Sequence, residues 1–214
     1  MNANQKDVGW GFWLWWVLAS AIGFCVGSIL GFIMPIFANI NHPVAFGILF
    51  ATVFGAVGGL AQWLVLRRQI PEVGLWAPAS ALGFVIAAGI VAIVASMDQQ
   101  VASNSNIFFL FAAVYGVTGG FLQWLILRRQ GVAVGWWLAA NLLGSLLGIA
   151  LATPSIAALG SGNRYPSALF ILILLWFGAA LGVGLGVTTG GALVWLLRHP
   201  KSGPRKEAAT QDAR

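Results

Sequence analysis

Long apolar runs alternate with short polar segments along the whole chain. The runs cover about residues 12–37, 44–66, 75–95, 107–127, 132–151 and 168–197. A bilayer core of ~30 Å needs ~20 helical residues, so each run is long enough to cross a membrane as a helix. The last run is the longest and would tilt or project beyond the lipid. The pattern predicts an all-α membrane protein with six transmembrane helices.

One motif recurs at the ends of the even-numbered runs. Residues Gly58–Gln69 read GGLAQWLVLRRQ, and residues Gly119–Gln130 read GGFLQWLILRRQ. Gln62 and Gln123 are therefore 61 residues apart. A third, degenerate copy of the motif, GGALVWLLRH, aligns at Gly190–His199. This alignment places Val194 at the glutamine position. An internal repeat of this period sets the architecture of the whole chain.

The odd-numbered runs repeat with the same period. Gly23, Gly83 and Gly144 are 60 and 61 residues apart. The chain is thus predicted to be three tandem two-helix hairpins, with repeats at about residues 10–69, 70–130 and 131–199. Parallel repeats are related by an axis along the membrane normal, which predicts a pseudo-threefold bundle. Residues 1–199 would form this single domain, and residues 200–214 a disordered basic tail.

Charge predicts the orientation. Ten of the eleven Lys and Arg residues lie on one side of the six runs, and only Arg164 lies on the other. The positive-inside rule then places both termini in the cytoplasm. The first run continues far beyond a signal-peptide-like Ala-Ser-Ala site at residues 19–21, so we expect it to be retained. Because the net charge of +6 comes from helix ends and the tail, it does not indicate nucleic-acid binding.

Composition agrees with a membrane location. Apolar residues make up 59% of the chain and charged residues 7%, whereas soluble proteins carry about 25% charged residues. We expect an integral protein of a bacterial inner membrane or a thylakoid-type membrane.

Glycines recur at four-residue spacing, which places them on one face of each helix. Such faces let neighbouring backbones approach closely in a membrane. The candidate packing faces are Gly23, Gly27, Gly31, Gly55, Gly59, Gly116, Gly120, Gly178, Gly182, Gly186 and Gly190. Packing within the chain is the simpler interpretation. The alternative is that a face serves another subunit or a flat ligand, and the sixth run is the best candidate because its glycine series is longest.

Three long polar side chains lie within the runs, namely Gln62, Gln123 and Asn141. Each glutamine is four residues beyond a glycine and should therefore lie at a helix contact. An interhelical hydrogen bond in a membrane contributes ~0.6 kcal/mol on average, and this is the simpler interpretation. The alternative is a polar constriction or ligand contact near the pseudo-axis, although Val194 in the third copy weakens a symmetric gate.

Tryptophans and arginines gather at the predicted cytoplasmic end. Ten of the eleven Trp residues lie there, and only Trp176 lies elsewhere. An aromatic belt explains them most simply, while a one-sided belt also suits a docking surface for a partner or lipid. The candidate interface anchors are Trp63, Arg67, Arg68, Trp124, Arg128, Arg129 and Trp195.

No Asp, Glu, Lys or Arg residue lies inside any of the six runs. Because such residues usually mark ion pathways, coupled transport through a carboxylate is not expected. No catalytic set, metal-spaced cluster or phosphate loop is present in the sequence. We therefore expect a non-enzymatic accessory, assembly or scaffold subunit. It would require no cofactor but could bind a lipid or pigment. Its partner would be another membrane protein or a second copy of the chain. The alternative is a facilitative channel or transporter for a small neutral or lipidic solute.

The QWLxLRR motif at Gln62–Arg68 and Gln123–Arg129, with GWWLAAN at Gly135–Asn141, resembles a pattern in uncharacterised multi-pass membrane proteins of bacteria, of cyanobacterial type. The resemblance covers Trp10 to Arg198 and implies a location and a fold, not a chemistry. Mitochondrial carriers also have three two-helix repeats, but their Pro-x-Asp-x-x-Lys/Arg signature is missing here.

Overall fold

A computed structural model describes residues 9–70, 72–98, 100, 106–128, 134–161 and 165–198. Within these residues the chain forms six long helices and no strand. They are α1 (Trp10–Phe37), α2 (Pro43–Leu66), α3 (Trp76–Met97), α4 (Asn106–Leu127), α5 (Val134–Gly160) and α6 (Ser167–Arg198). All six are long and apolar enough to cross a membrane. The all-α, six-span prediction is confirmed, while the grouping into hairpins and the orientation stay predictions.

The fifth helix is longer than the sequence predicts. It continues from the expected end at Leu151 to Gly160 and includes Pro154. Proline usually ends a helix, because it lacks an N–H, but membrane helices tolerate it when neighbours satisfy the freed backbone groups. α1 likewise contains Pro35.

The turn between α1 and α2 is tight. Asn39 adopts a left-handed φ of 53° just past α1, a conformation that asparagine tolerates at helix ends. Its N–H donates to the carbonyl oxygen of Ile36 at 3.0 Å. Pro43 then begins α2, where its fixed φ suits the first helical position. The chain therefore reverses direction within a few residues.

The six helices form a closed ring. Each packs against its neighbours in the chain, and α6 returns to pack against α1. Neighbouring helices are antiparallel; for example, Gly27 of α1 faces Phe54 of α2, and the later Gly31 faces the earlier Phe50. The odd helices therefore begin, and the even helices end, at one end of the bundle. We call it the arginine end, because Arg67 follows α2 there.

Candidate functional site

Glycines bring the helix backbones together around the ring. All eleven predicted packing glycines lie against another helix of the same chain. The series in α6 is included, since Gly178 and Gly182 lie against the backbone of α1 at Phe24 and Ser20. α1 therefore occupies the face of α6 that the alternative interpretation gave to another subunit or a flat ligand.

Contacts of these glycines define the register of the third repeat. Gly59 of α2 lies against Ser80 of α3, and Gly120 of α4 lies against Asn141 of α5. The glycine of α6 in the matching place is Gly186, which lies against Ser20 of α1. The sequence alignment instead pairs Gly191 with Gly59. A Cβ added to Gly191 meets no atom within 4 Å. The sequence alignment of the third repeat is therefore shifted by five residues.

The corrected register places Thr189, not Val194, at the glutamine position of the third repeat. The hydrogen bonds agree. The indole Nε1 of Trp76 donates to Oε1 of Gln62 at 3.1 Å, and Nε1 of Trp16 donates to Oγ1 of Thr189 at 3.0 Å. A polar acceptor is therefore present in the third repeat, although the sequence motif did not reveal it.

The two glutamines also bond the preceding odd helices. Nε2 of Gln62 donates to Oγ of Ser20 at 3.1 Å, and Nε2 of Gln123 donates to Oγ of Ser80 at 3.0 Å. All four side chains are buried. Together with Asn141 and Thr189, which are also buried, they form a ring of polar groups inside the bundle that we call the polar layer. The glutamines thus link neighbouring helices.

The third position of the polar layer is incomplete. Nδ2 of Asn141 donates to the backbone oxygen of Trp137 at 3.1 Å. The indole Nε1 of Trp137 is buried and has no hydrogen-bond partner among the described residues. Its counterparts on Trp16 and Trp76 are both paired. A buried unpaired donor is costly, so this N–H marks an open bonding position in an otherwise paired layer.

Three tryptophans lie inside the bundle, between the polar layer and the arginine end. Trp16, Trp76 and Trp137 are fully buried. Their ring centroids are 5.9 Å apart for Trp16 and Trp76, and 5.8 Å apart for Trp76 and Trp137. Because α1, α3 and α5 are not neighbours in the ring, these side chains meet in its interior. We call them the tryptophan cluster, and they are not part of an aromatic belt as the sequence suggested.

Leucines complete the packing around the tryptophan cluster. Leu66, Leu127 and Leu193 are fully buried and belong to the same apolar core as the three tryptophans. Leu193 matches Leu66 and Leu127 in the corrected register. The sequence contained one signal for this set, since the three tryptophans are separated by 60 and 61 residues, like the glycines beside them.

A second aromatic group lies on the other side of the polar layer. Phe24, Phe54, Phe84 and Tyr115 are buried. The centroids of Phe54 and Phe84 are 5.2 Å apart, and those of Phe84 and Tyr115 are 3.7 Å apart. Aromatic rings thus enclose the polar layer from both sides.

The predicted interface anchors lie at the arginine end. The guanidinium carbon of Arg67 is 4.6 Å from the ring centroid of Trp63, which is a cation–π contact. Arg68 and Arg128 are exposed, Trp63 and Trp124 are half-buried, and Trp195 is exposed. Arg129 and the tail at residues 200–214 lie outside the described residues.

A cavity of about 330 Å³ lies at the end opposite the arginines. We call it the end cavity. Residues of α2 to α6 line it, and every lining residue is apolar. The lining includes one phenylalanine from the matching position of each repeat, namely Phe50, Phe111 and Phe177. Phe177 also contacts Phe54, on a helix that is not its neighbour, with centroids 5.9 Å apart, so the cavity reaches into the ring.

The described residues contain no group of three His, Cys, Asp or Glu side chains that could hold a metal ion. Comparisons with protein families, curated proteins and solved structures found no match.

Proposed function

We propose that this protein is a non-enzymatic accessory or scaffold subunit of a membrane complex that holds an apolar chain of a lipid or pigment in the end cavity. The end cavity is the observation that supports this proposal most. Its volume of about 330 Å³ falls in the usual range of ligand pockets, roughly 300–1,000 Å³. A lining without polar side chains favours an occupant that is itself apolar.

The rest of the bundle suits a rigid support. Glycine contacts hold the helix backbones together, and buried side chains fill the interior from Phe54 to the tryptophan cluster. Close packing of this kind drives helix association in lipid. With the arginine end in the cytoplasm, as the positive-inside rule expects, the end cavity opens in the opposite leaflet of the inner or thylakoid-type membrane.

Filling the end cavity tests the proposal. Ala92 lines it and is half-buried, so Ala92→Phe should exclude the occupant. Ala168 is exposed at the start of α6, near the same end, so Ala168→Phe is the matched control. The proteins are purified in a gentle detergent from the native host. An absorption spectrum and lipid extraction should then show a stoichiometric apolar molecule that Ala92→Phe loses several-fold and the control retains. Equal retention in both would contradict the proposal.

A native mass spectrum of the same fraction tests the subunit part of the proposal. We expect a membrane-protein partner or a second copy of the chain. A fraction that contains neither would contradict the subunit role and leave only ligand binding.

A facilitator for a small neutral or lipidic solute is the second candidate. Two observations favour it. The end cavity reaches into the ring that holds the polar layer, and Nε1 of Trp137, beside this layer, has no partner among the described residues. A solute entering from the cavity would meet that donor after the aromatic rings moved. Flux into liposomes should then fall when Gln62→Leu and Gln123→Leu are combined. Unchanged flux would exclude a path through the polar layer.

A further inference from the structure

A groove on the outer surface of the bundle lies between α5 and α6, near the arginine end. Its volume is about 410 Å³. Trp136 and Trp195 line it and contact each other, with ring centroids 5.9 Å apart and with 65% and 49% of their surface exposed. Ala139, Ala140 and Ala192 are also among its lining residues. We call it the lateral groove. It faces the surroundings of the bundle and is separate from the end cavity.

Small residues of the third repeat create the lateral groove. In the corrected register, Ala192 stands where the other repeats have Val65 and Ile126. The groove therefore reflects a local difference between repeats at one interface.

Charge at the groove favours an anionic occupant. Arg198 follows Trp195 by three residues in α6, which puts the two on the same face of the helix. Arg198 is exposed. The apolar groove thus lies on the same side of α6 as an exposed arginine.

We propose that the lateral groove binds one acyl chain of an anionic phospholipid, with the phosphate at Arg198. The apolar floor suits the chain, and a guanidinium can bond a phosphate with two parallel hydrogen bonds. The two tryptophans lie at the level where indole rings meet lipid headgroups. Basic pockets between transmembrane helices bind anionic headgroups by the same chemistry. This site does not depend on the occupant of the end cavity.

Native mass spectrometry of the full-length protein in detergent tests the site with phosphatidylglycerol and phosphatidylcholine of identical acyl chains. We expect one phosphatidylglycerol to stay bound in preference to phosphatidylcholine. Arg198→Gln should reduce that preference about fivefold, the usual effect of one basic residue near a membrane surface, and Arg198→Lys should restore most of it. Arg128→Gln, at the exposed end of α4 and away from the groove, is the comparison and should reduce the preference clearly less than Arg198→Gln does.

A second variant tests the apolar part of the groove. Ala192→Ile should lower binding of both lipids several-fold, and the fold should accept it because Ile126 stands at the matching position. Ala157→Ile, on an exposed part of α5 away from the groove, is the control. Equal binding of the two lipids, or equal effects of Arg198→Gln and Arg128→Gln, would overturn the proposal. So would a protein partner, instead of lipid, that Ala192→Ile displaces.

Discussion

Trp76 and Trp137 occupy matching positions, yet their indole N–H groups differ. That of Trp76 bonds Gln62, whereas that of Trp137 has no partner among the described residues. Removing the first leaves the buried carbonyl oxygen of Gln62 unpaired, while removing the second relieves an unpaired donor. The two residues therefore form a natural pair for comparison.

Substituting each with phenylalanine should separate packing from hydrogen bonding. Both Trp76→Phe and Trp137→Phe remove similar buried area. We expect Trp76→Phe to lower the free energy of unfolding by about 1–3 kcal/mol more than Trp137→Phe does, because only Trp76→Phe leaves a buried acceptor unpaired. Unfolding in a series of sodium dodecyl sulfate concentrations measures the difference. Equal losses would mean that Trp137 has a partner of similar strength.

Glycine positions differ sharply in what surrounds them. A Cβ on Gly83 of α3 would lie 2.5 Å from the Cα of Gly119 in α4, whereas one on Gly191 meets nothing within 4 Å. We expect Gly83→Ala to destabilise the protein by about 1–3 kcal/mol through overpacking against a backbone that cannot rotate away. Gly191→Ala should be neutral or stabilise by up to about 1 kcal/mol through helix propensity. Thermal unfolding in detergent ranks them, and a milder effect at Gly83 would contradict this interface.

The sixth helix shows how a repeat can be misread. Its 32 residues span about 48 Å, and its Trp195 and Arg198 resemble the tryptophan and arginine that end α2 and α4. Those residue types mark where a helix leaves the lipid, so they recur for a reason that is independent of packing. The contacts with neighbouring helices follow the glycines instead. They match Gly59 with Gly186, which lies five residues before Gly191, the residue that the sequence alignment matches with Gly59.

Isosteric exchanges distinguish the two registers of α6. Thr189→Val keeps the shape of the side chain but removes the acceptor of the Trp16 N–H. We expect a loss of about 1–3 kcal/mol, since a buried donor becomes unpaired. Val194→Thr, at the position that the sequence alignment favours, should change stability by less than about 0.5 kcal/mol. If Val194→Thr had the larger effect in the same unfolding assay, the corrected register would be wrong.

The number of helices could be predicted from the sequence because hydrophobic length alone decides it. The interior could be predicted only in part. Spacing predicts that Gln62 and Gln123 lie at helix contacts. An indole suits a headgroup region and a packed core equally well, so the sequence alone favours a belt for Trp16 and its counterparts. The partners of Thr189 and Trp137 depend on which helix lies opposite, and no local pattern encodes that choice.

At the scale of the whole molecule, six antiparallel helices leave the start of α1 and the end of α6 at the arginine end. Labelling with a membrane-impermeant maleimide in a Cys25→Ala background tests its orientation. We expect the Ser161→Cys thiol, beyond α5, to react in intact cells. The Gln69→Cys thiol, just past α2, should react only after the membrane is permeabilised, because the positive-inside rule predicts that the arginine end faces the cytoplasm. The reverse pattern would invert the topology and place the end cavity in the cytoplasmic leaflet.

Closure of the ring has a consequence for biosynthesis. The hydrogen bond from Trp16 to Thr189 joins residues 173 positions apart. One of the two neighbours of α1, the first helix synthesised, is therefore α6, the last. At about 5–20 residues per second, α1 waits roughly ten to thirty-five seconds for α6 to leave the ribosome. Until then, the side of α1 that contacts α6 at Ala21 and Ser28 lacks that cover. During assembly, closure of the ring by α6 therefore competes with packing of any other membrane helix against this side of α1.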